Sequence, residues 1–183
     1  MTTVPFTEVD LRTALGHFAS GVVVVTGQHA GAPRGLACQS FFSLSLDPPL
    51  IAIALARTST SWADIERSGA FGVNMLHADQ VDLCRAFGRS GGDKFAGLDW
   101  SPGATTGAPR LADSLAWIEC GIEDVHPAGD HLLAVGRVLD FEVNAGRPLL
   151  FYRGRFGVLH DHHLTGVETN LEHLITGLRL GWG

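Results

Sequence analysis

The chain has little that could hold it to a polyanion, a disulfide framework or a bilayer. It carries 13 Lys+Arg against 19 Asp+Glu, for a net charge of -6, with no basic block anywhere. Nothing in that pattern neutralises a phosphate backbone, so nucleic acid is not an expected partner. The longest uninterrupted apolar run, residues 50–56, is far too short to span a membrane. The three cysteines, Cys38, Cys84 and Cys120, are widely spaced and include no C-x-x-C pair. That excludes a disulfide framework and a structural zinc site and fits reduced thiols. Met1-Thr2-Thr3-Val4-Pro5-Phe6 has neither a positive n-region nor an apolar h-region, so the expected compartment is the cytoplasm. G-x-G-x-x-G, Walker A and HExxH are all absent, which leaves dinucleotide-fold, phosphoryl-transfer and zincin readings without support.

What is present suits one globular domain: 183 residues, 45% hydrophobic and 17% charged. The 23 glycines far exceed the usual share of about 7% and point to a β-rich chain with tight turns and a ligand close to backbone. Thr7-Glu8-Val9-Asp10 has the form of a capping box, and Leu11, Leu15 and Phe18 recur at helical spacing up to Gly21, so an amphipathic N-terminal helix is expected. Val22-Val23-Val24-Val25-Thr26 predicts a strand that turns through residues 29–33 into a second strand over residues 36–42. Asp47-Pro48-Pro49 punctuates that strand, and residues 50–55 read as a fully apolar, central one. A short helix after Ser59-Thr60-Ser61, a strand over residues 71–76 and a second short helix over residues 80–87 follow. Residues 88–107 are Gly-rich and aperiodic and read as a long functional loop. Three further strands are expected over residues 117–125, 131–143 and 149–159, then a tail helix around residues 172–178. Many strands and short helices without regular βαβ alternation predict a closed or nearly closed antiparallel barrel.

The candidate chemistry is sparse. Gly88-Arg89-Ser90-Gly91-Gly92 matches G-x-S-x-G, but a nucleophile elbow needs a strand entering the Ser and a helix leaving it. Here a helix enters and a loop leaves, so the match reads as chance. His160-Asp161-His162-His163 has no second ligand cluster, reads as a solvated turn, and no metal is expected. The stretch from Ala37 to Ser45 is rich in small and hydroxyl residues where a core strand should lie. Either Ser40, Ser43 and Ser45 face water at an edge, or a flat ring lies against residues 37–40 and takes hydrogen bonds from main-chain amides. Ser59, Thr60 and Ser61 suit a phosphate at a helix N-terminus, and plain N-capping explains them equally well. His131, where a turn becomes a strand, reads as structural when taken alone.

Taken together, the ordered set resembles the flavin reductase-like family. It comprises Phe18-Ala19-Ser20-Gly21-Val22, residues 35–45 with Pro48-Pro49, Asn74, Asp93-Lys94-Phe95, Gly129-Asp130-His131 and Pro148-Leu149-Leu150-Phe151-Tyr152-Arg153-Gly154. The resemblance covers roughly residues 7–160. It implies a mainly β, Greek-key-like split β-barrel that binds FMN, with FAD as the alternative. The family is usually homodimeric and uses NADH or NADPH to reduce flavin, often for a partner monooxygenase. The competing readings are a non-enzymatic flavin-binding or electron-transfer module and a reductase acting on another substrate over bound flavin. Residues 1–160 would form the flavin domain and residues 161–183 a tail. The resemblance places Ala37, Cys38, Gln39 and Ser40 beside the isoalloxazine, and Ser43 with the backbone of Leu55 and Ala56 near the ribityl chain. It gives Ser59 and Ser61 to the phosphate, Arg85 ahead of Phe87 as a fixed charge for it, and the Asp130-His131 turn, His131 above all, to the nicotinamide. Two departures stand out. Cys38 replaces a frequent Thr or Ser, and Phe156 replaces a frequent Tyr, which keeps an aromatic wall but loses its hydroxyl.

Overall fold

The computed structural model describes residues 5–159. Its elements are α1 (Glu8–Leu15), β1 (Ser20–Gly21), β2 (Val23–His29), β3 (Ala32–Cys38), β4 (Phe41–Leu46), β5 (Pro49–Ala56), α2 (Thr60–Ser68), β6 (Ala70–Met75), α3 (Val81–Gly88), β7 (Trp100–Pro102), β8 (Pro109–Leu111), β9 (Ala116–Ala128), β10 (His131–Val143), β11 (Leu149–Tyr152) and β12 (Arg155–Val158). Among the described residues no helix is long and apolar enough to cross a membrane, and no group of His, Cys, Asp or Glu could hold a metal ion. The expected tail helix and the His160–His163 cluster lie outside the described residues.

The main sheet runs β3-β2-β6-β9-β10-β5-β4, antiparallel throughout. Its two edge strands, β3 and β4, are consecutive in the chain, so the right-handed twist that curls the sheet brings them back towards each other. The curl stops short of closure. At the seam the Ala54 amide donates to the Ser40 carbonyl at 3.1 Å, one step beyond the Phe41–Ile53 pair of β4 and β5, and from the β3 side the Cys38 thiol reaches the Ala54 carbonyl at 3.7 Å. This is a split barrel. Smaller sheets, β1-β11-β12 and β7-β8, flank it.

β2 is buried on both faces because its valines serve two cores. Val23 and Val25 point into the barrel with Ile51, Ile53, Leu55, Phe71 and Val73. Val22 and Val24 point outward into a second cluster with Leu76, Phe87, Phe95, Leu111 and Leu149. α2 plugs one barrel end with Trp62 and Ile65, one turn apart.

Several expectations are corrected. The strand expected over residues 36–42 is broken at Gln39-Ser40, and the chain crosses there from one sheet edge to the other. Asp47-Pro48 then makes a tight turn between β4 and β5. β5 is flanked on both sides but lies second from the edge. The strand expected over residues 149–159 is a hairpin, because Arg153 and Gly154 both take positive φ. The loop at residues 88–107 contains β7, which pairs with β8. α1 has the capping box at Thr7 and Asp10, but it ends at Gly16 and buries nothing; Phe18 beyond it is 82% exposed.

Candidate functional site

The seam opens into a hollow of about 790 Å³, lined by the end of β3, the end of β5, the start of α2, α3 with the loop after it, His131 and Phe156. It gathers Ala37, Cys38, Gln39, Ser40, Leu55, Ala56, Ser59, Ser61, Arg85, Phe87, His131 and Phe156. Ser43 lies outside it, since β4 runs away from the seam and pairs Ser43 with Ile51. Asp130 stands at the rim, exposed, with its carboxylate 2.7 Å from His131 Nδ1. An ionised carboxylate only accepts hydrogen bonds, so Nδ1 carries the proton and Nε2 is left free. His131 holds the Asp130 carboxyl below the usual range, chiefly through that hydrogen bond.

One end of the hollow is built for a flat apolar body. Small residues at Ala37, Ala54 and Ala56 keep side chains out of the way, and Cys38 is a buried thiol whose pKa burial pushes up. Phe87 lies fully buried beneath, where a Cβ on Gly35 would collide with its ring. Phe156 forms the side wall, packed edge-on against Phe151, with the Arg85 guanidinium 5.6 Å over its ring. Arg85 is also tied to Asp82 at 3.0 Å, so it is held at the rim rather than free in solvent.

The other end is built for an anion. Ser59 caps α2, its Oγ accepting the Trp62 amide at 3.2 Å. The amides of Thr60 and Ser61, in the helix's first turn, have no intrahelical acceptor, and no acidic residue sits there to compete. Arg85, Arg89 and Lys94 line the hollow, while no Asp or Glu does. In a chain of net charge -6 that is a local reversal of sign. Lys94 donates to the carbonyls of Gly35 at 3.2 Å and Phe87 at 3.1 Å and has no carboxylate partner among the described residues. Burial pushes its pKa down.

Lys94 and Arg89 were not among the expected site residues. Asp93-Lys94-Phe95 was visible as part of the ordered set, but only the fold shows that Lys94 turns inward beneath the loop. Arg89 and Ser90, from the rejected G-x-S-x-G match, line the hollow without the strand a nucleophile elbow needs.

A split antiparallel barrel whose seam holds a flat apolar slot ending in a cationic grip defines a flavin oxidoreductase. The chain belongs to the flavin reductase-like family: the model described as "Flavin reductase like domain" matches residues 15–160. It is 51% identical over 158 residues to the reductase subunit of a flavin-dependent monooxygenase from Rhodococcus jostii, covering 86% of this chain and 76% of that one. A nitrilotriacetate monooxygenase component B homolog from Mycobacterium thermoresistibile superposes with a TM-score of 0.84 at 42% identity, covering 88% of this chain and 92% of that one. A Streptomyces globisporus NADH:FAD oxidoreductase, solved in complex with NAD and FAD fragments, has a TM-score of 0.80 at 33% identity, with 89% and 99% covered.

Proposed function

We propose that this chain reduces FMN or FAD with NADH or NADPH and delivers the reduced flavin to a partner monooxygenase. The observation that carries the reading is one hollow that joins small residues and aromatic walls to an open helix start, three cations and no acid. The residues fit a flavin phosphate. Two open helix amides, three hydroxyls and three cations line the same hollow.

Bound flavin supplies the hydride acceptor and the reduced nicotinamide supplies the hydride. The protein therefore needs no nucleophile and acts by orienting the two rings and excluding water. In this reading Ala37, Cys38, Gln39 and Ser40 offer main-chain groups to the isoalloxazine, with Phe87 and Phe156 as walls. The backbone at Leu55 and Ala56 follows the ribityl chain. Ser59, Ser61, Arg85, Arg89 and Lys94 hold the phosphate. Asp130 fixes the His131 tautomer, so that Nε2 can accept a hydrogen bond from the nicotinamide carboxamide.

The chain works as a homodimer in this reading. β5 is no motive for pairing, because Ile51, Ile53 and Leu55 are covered within the subunit. Among the uncovered apolar side chains of the described residues are Val9, Leu15 and Phe18 around α1, and Leu139, Phe141 and Val143 on β10. Light scattering would then give twice the chain mass.

The deciding experiment is NADH and NADPH oxidation with and without added FMN or FAD, alongside a flavin absorbance titration. Flavin-dependent turnover with saturable binding is expected. No binding of either flavin at micromolar protein would overturn the reading.

A further inference from the structure

α1 carries an apolar stripe that the described residues leave uncovered. Leu11 and Leu15 lie one turn apart on one face, Phe18 continues them, and all three are exposed. The helix buries none of its eight residues. A helix that short is marginal in water by itself, where about 12–15 residues are needed. Yet its end is fixed. The Arg153 amide, in the turn between β11 and β12, donates to the Gly16 carbonyl at 3.1 Å, and His17 packs edge-on against Tyr152. A short helix held in place with its apolar side outward needs a cover.

The segment after residue 159 starts where it can supply one. The matched family domain spans residues 15–160, so most of α1 and everything beyond residue 160 are additions at its two flanks. Both flanks join the barrel through one sheet, β1-β11-β12: α1 leads into β1, and the C-terminal segment leaves from β12. β12 begins at Arg155, beside the turn that holds α1, and is four residues long. The chain therefore leaves it within about 14 Å of that turn.

The sequence beyond has the pattern of a second amphipathic helix. Thr165-Gly166-Val167-Glu168 has the form of a capping box. Val167, Leu171, Leu174, Ile175 and Leu178 recur at i, i+4, i+7, i+8 and i+11, and Thr169, Glu172, His173 and Thr176 fall on the other side. As a helix, residues 167–178 span about 18 Å, enough to lie along the stripe from Leu11 to Phe18. Residues 159–164 reach about 20 Å when extended, which bridges the distance from β12.

We infer that residues 165–178 form an amphipathic helix that docks on the Leu11, Leu15 and Phe18 stripe of α1 in the same chain. The tether gives this segment a local concentration of the order of millimolar, which a second copy at micromolar concentration does not match. Leu139, Phe141 and Val143 on β10 then stay free for a second copy.

Two experiments on the full chain test the docking. In the first, hydrogen exchange over residues 9–16 is compared between wild type and the double variant Leu171→Asp/Leu174→Asp. Exchange should be about ten-fold faster in the variant, with β2 and β6 unmoved as proof that the barrel is intact. In the second, a bismaleimide of about 10 Å reach, the axial spacing of packed helices, links introduced thiols. The native cysteines Cys38, Cys84 and Cys120 are buried and do not compete. Leu15→Cys/Leu174→Cys should link within one chain about ten-fold faster than Thr13→Cys/Leu174→Cys, because Thr13 lies on the opposite face of α1. Intact mass separates links within a chain from links between chains. Equal exchange in wild type and the Asp variant would overturn the docking, as would equal linking from positions 13 and 15. Links that join two chains would overturn it too, and would give the α1 stripe to a second copy.

Discussion

The segment between α3 and β8 has two halves that treat polar groups in opposite ways. The rear half is bolted down. Asn74, fully buried, donates to the carbonyls of Val24 and Pro109 and receives the Leu111 amide at 2.8 Å. Thr26 donates to the Pro109 carbonyl. Glu119, a fully buried carboxylate, accepts the amides of Thr105 and Thr106 and the Thr106 hydroxyl. A Cβ on Gly103 would strike Glu119. Exceptions near the rear, among the described residues, are Trp117 Nε1 and Ser114 Oγ, both buried without a partner. The front half is the reverse: Gly91 and Gly92 sit at positive φ, Arg89 and Ser90 are exposed, and Lys94 holds two carbonyls with no counter-charge. Polar groups satisfied from within mark structure, and polar groups left open beside a cavity mark a ligand.

Substitutions can break that contrast. Glu119→Ala should have the largest effect on stability. It removes the buried carboxylate that three hydrogen bonds converge on, costs about 3 kcal/mol, and lowers the melting temperature by roughly 6–12 °C for a chain of this size. Calorimetry checks this, and flavin affinity of the folded fraction should hardly move. Lys94→Ala should do the opposite, with flavin affinity falling by about 1.5–3 kcal/mol for a lost charge-assisted contact and a smaller change in melting temperature. If Lys94→Ala melted like Glu119→Ala and still bound flavin, the two halves would not differ as described. His131→Ala should slow NAD(P)H-dependent turnover by about 1–3 kcal/mol while absorbance titration and melting stay near wild type. A loss of stability instead would make His131 a packing residue.

The smallest effect belongs to Asp64, an acid of α2 beside the front half. Arg34, through a hydrogen bond, holds the Asp64 carboxyl below its usual range. A lowered folded pKa gives stability that is complete above the unfolded value of about 4 and is lost as pH falls through the folded one. Asp64→Asn should therefore lower the melting temperature slightly at neutral pH, where that stability is complete, and flatten its fall below about pH 4, so that the two curves converge in acid.

Local signals were legible where they were chemical. The Thr7 capping box, the Ser59 cap and the β-branched β2 follow from residue type alone. The ordered set placed most of the hollow's lining, because those residues lie at strand and helix ends that the motifs mark. What escaped was long-range. Nothing local in Gln39-Ser40 says that the chain leaves one sheet edge and joins the other, so Ser43 was grouped with residues of a hollow it does not line. Lys94 escaped because its role depends on the carbonyls of Gly35 and Phe87, neither of which identifies itself as a partner. The apolar spacing of α1 predicted a buried face, and the described residues offer no surface to receive it.

The unclosed seam has a thermodynamic consequence. Across the seam from β3 to β5 the side-chain bond among the described residues is the weak contact of the Cys38 thiol with the Ala54 carbonyl, while the Ser40–Ala54 hydrogen bond only extends the β4–β5 ladder. Amide exchange should therefore be fastest there, through local opening rather than global unfolding. A ligand lying across the gap binds only the shut form, so it suppresses that opening by mass action. At one hundred times its dissociation constant the gain is about 2.7 kcal/mol. Flavin would then act as the missing rung of the sheet, and its release would leave the barrel most loosely held at the place where the next flavin must enter.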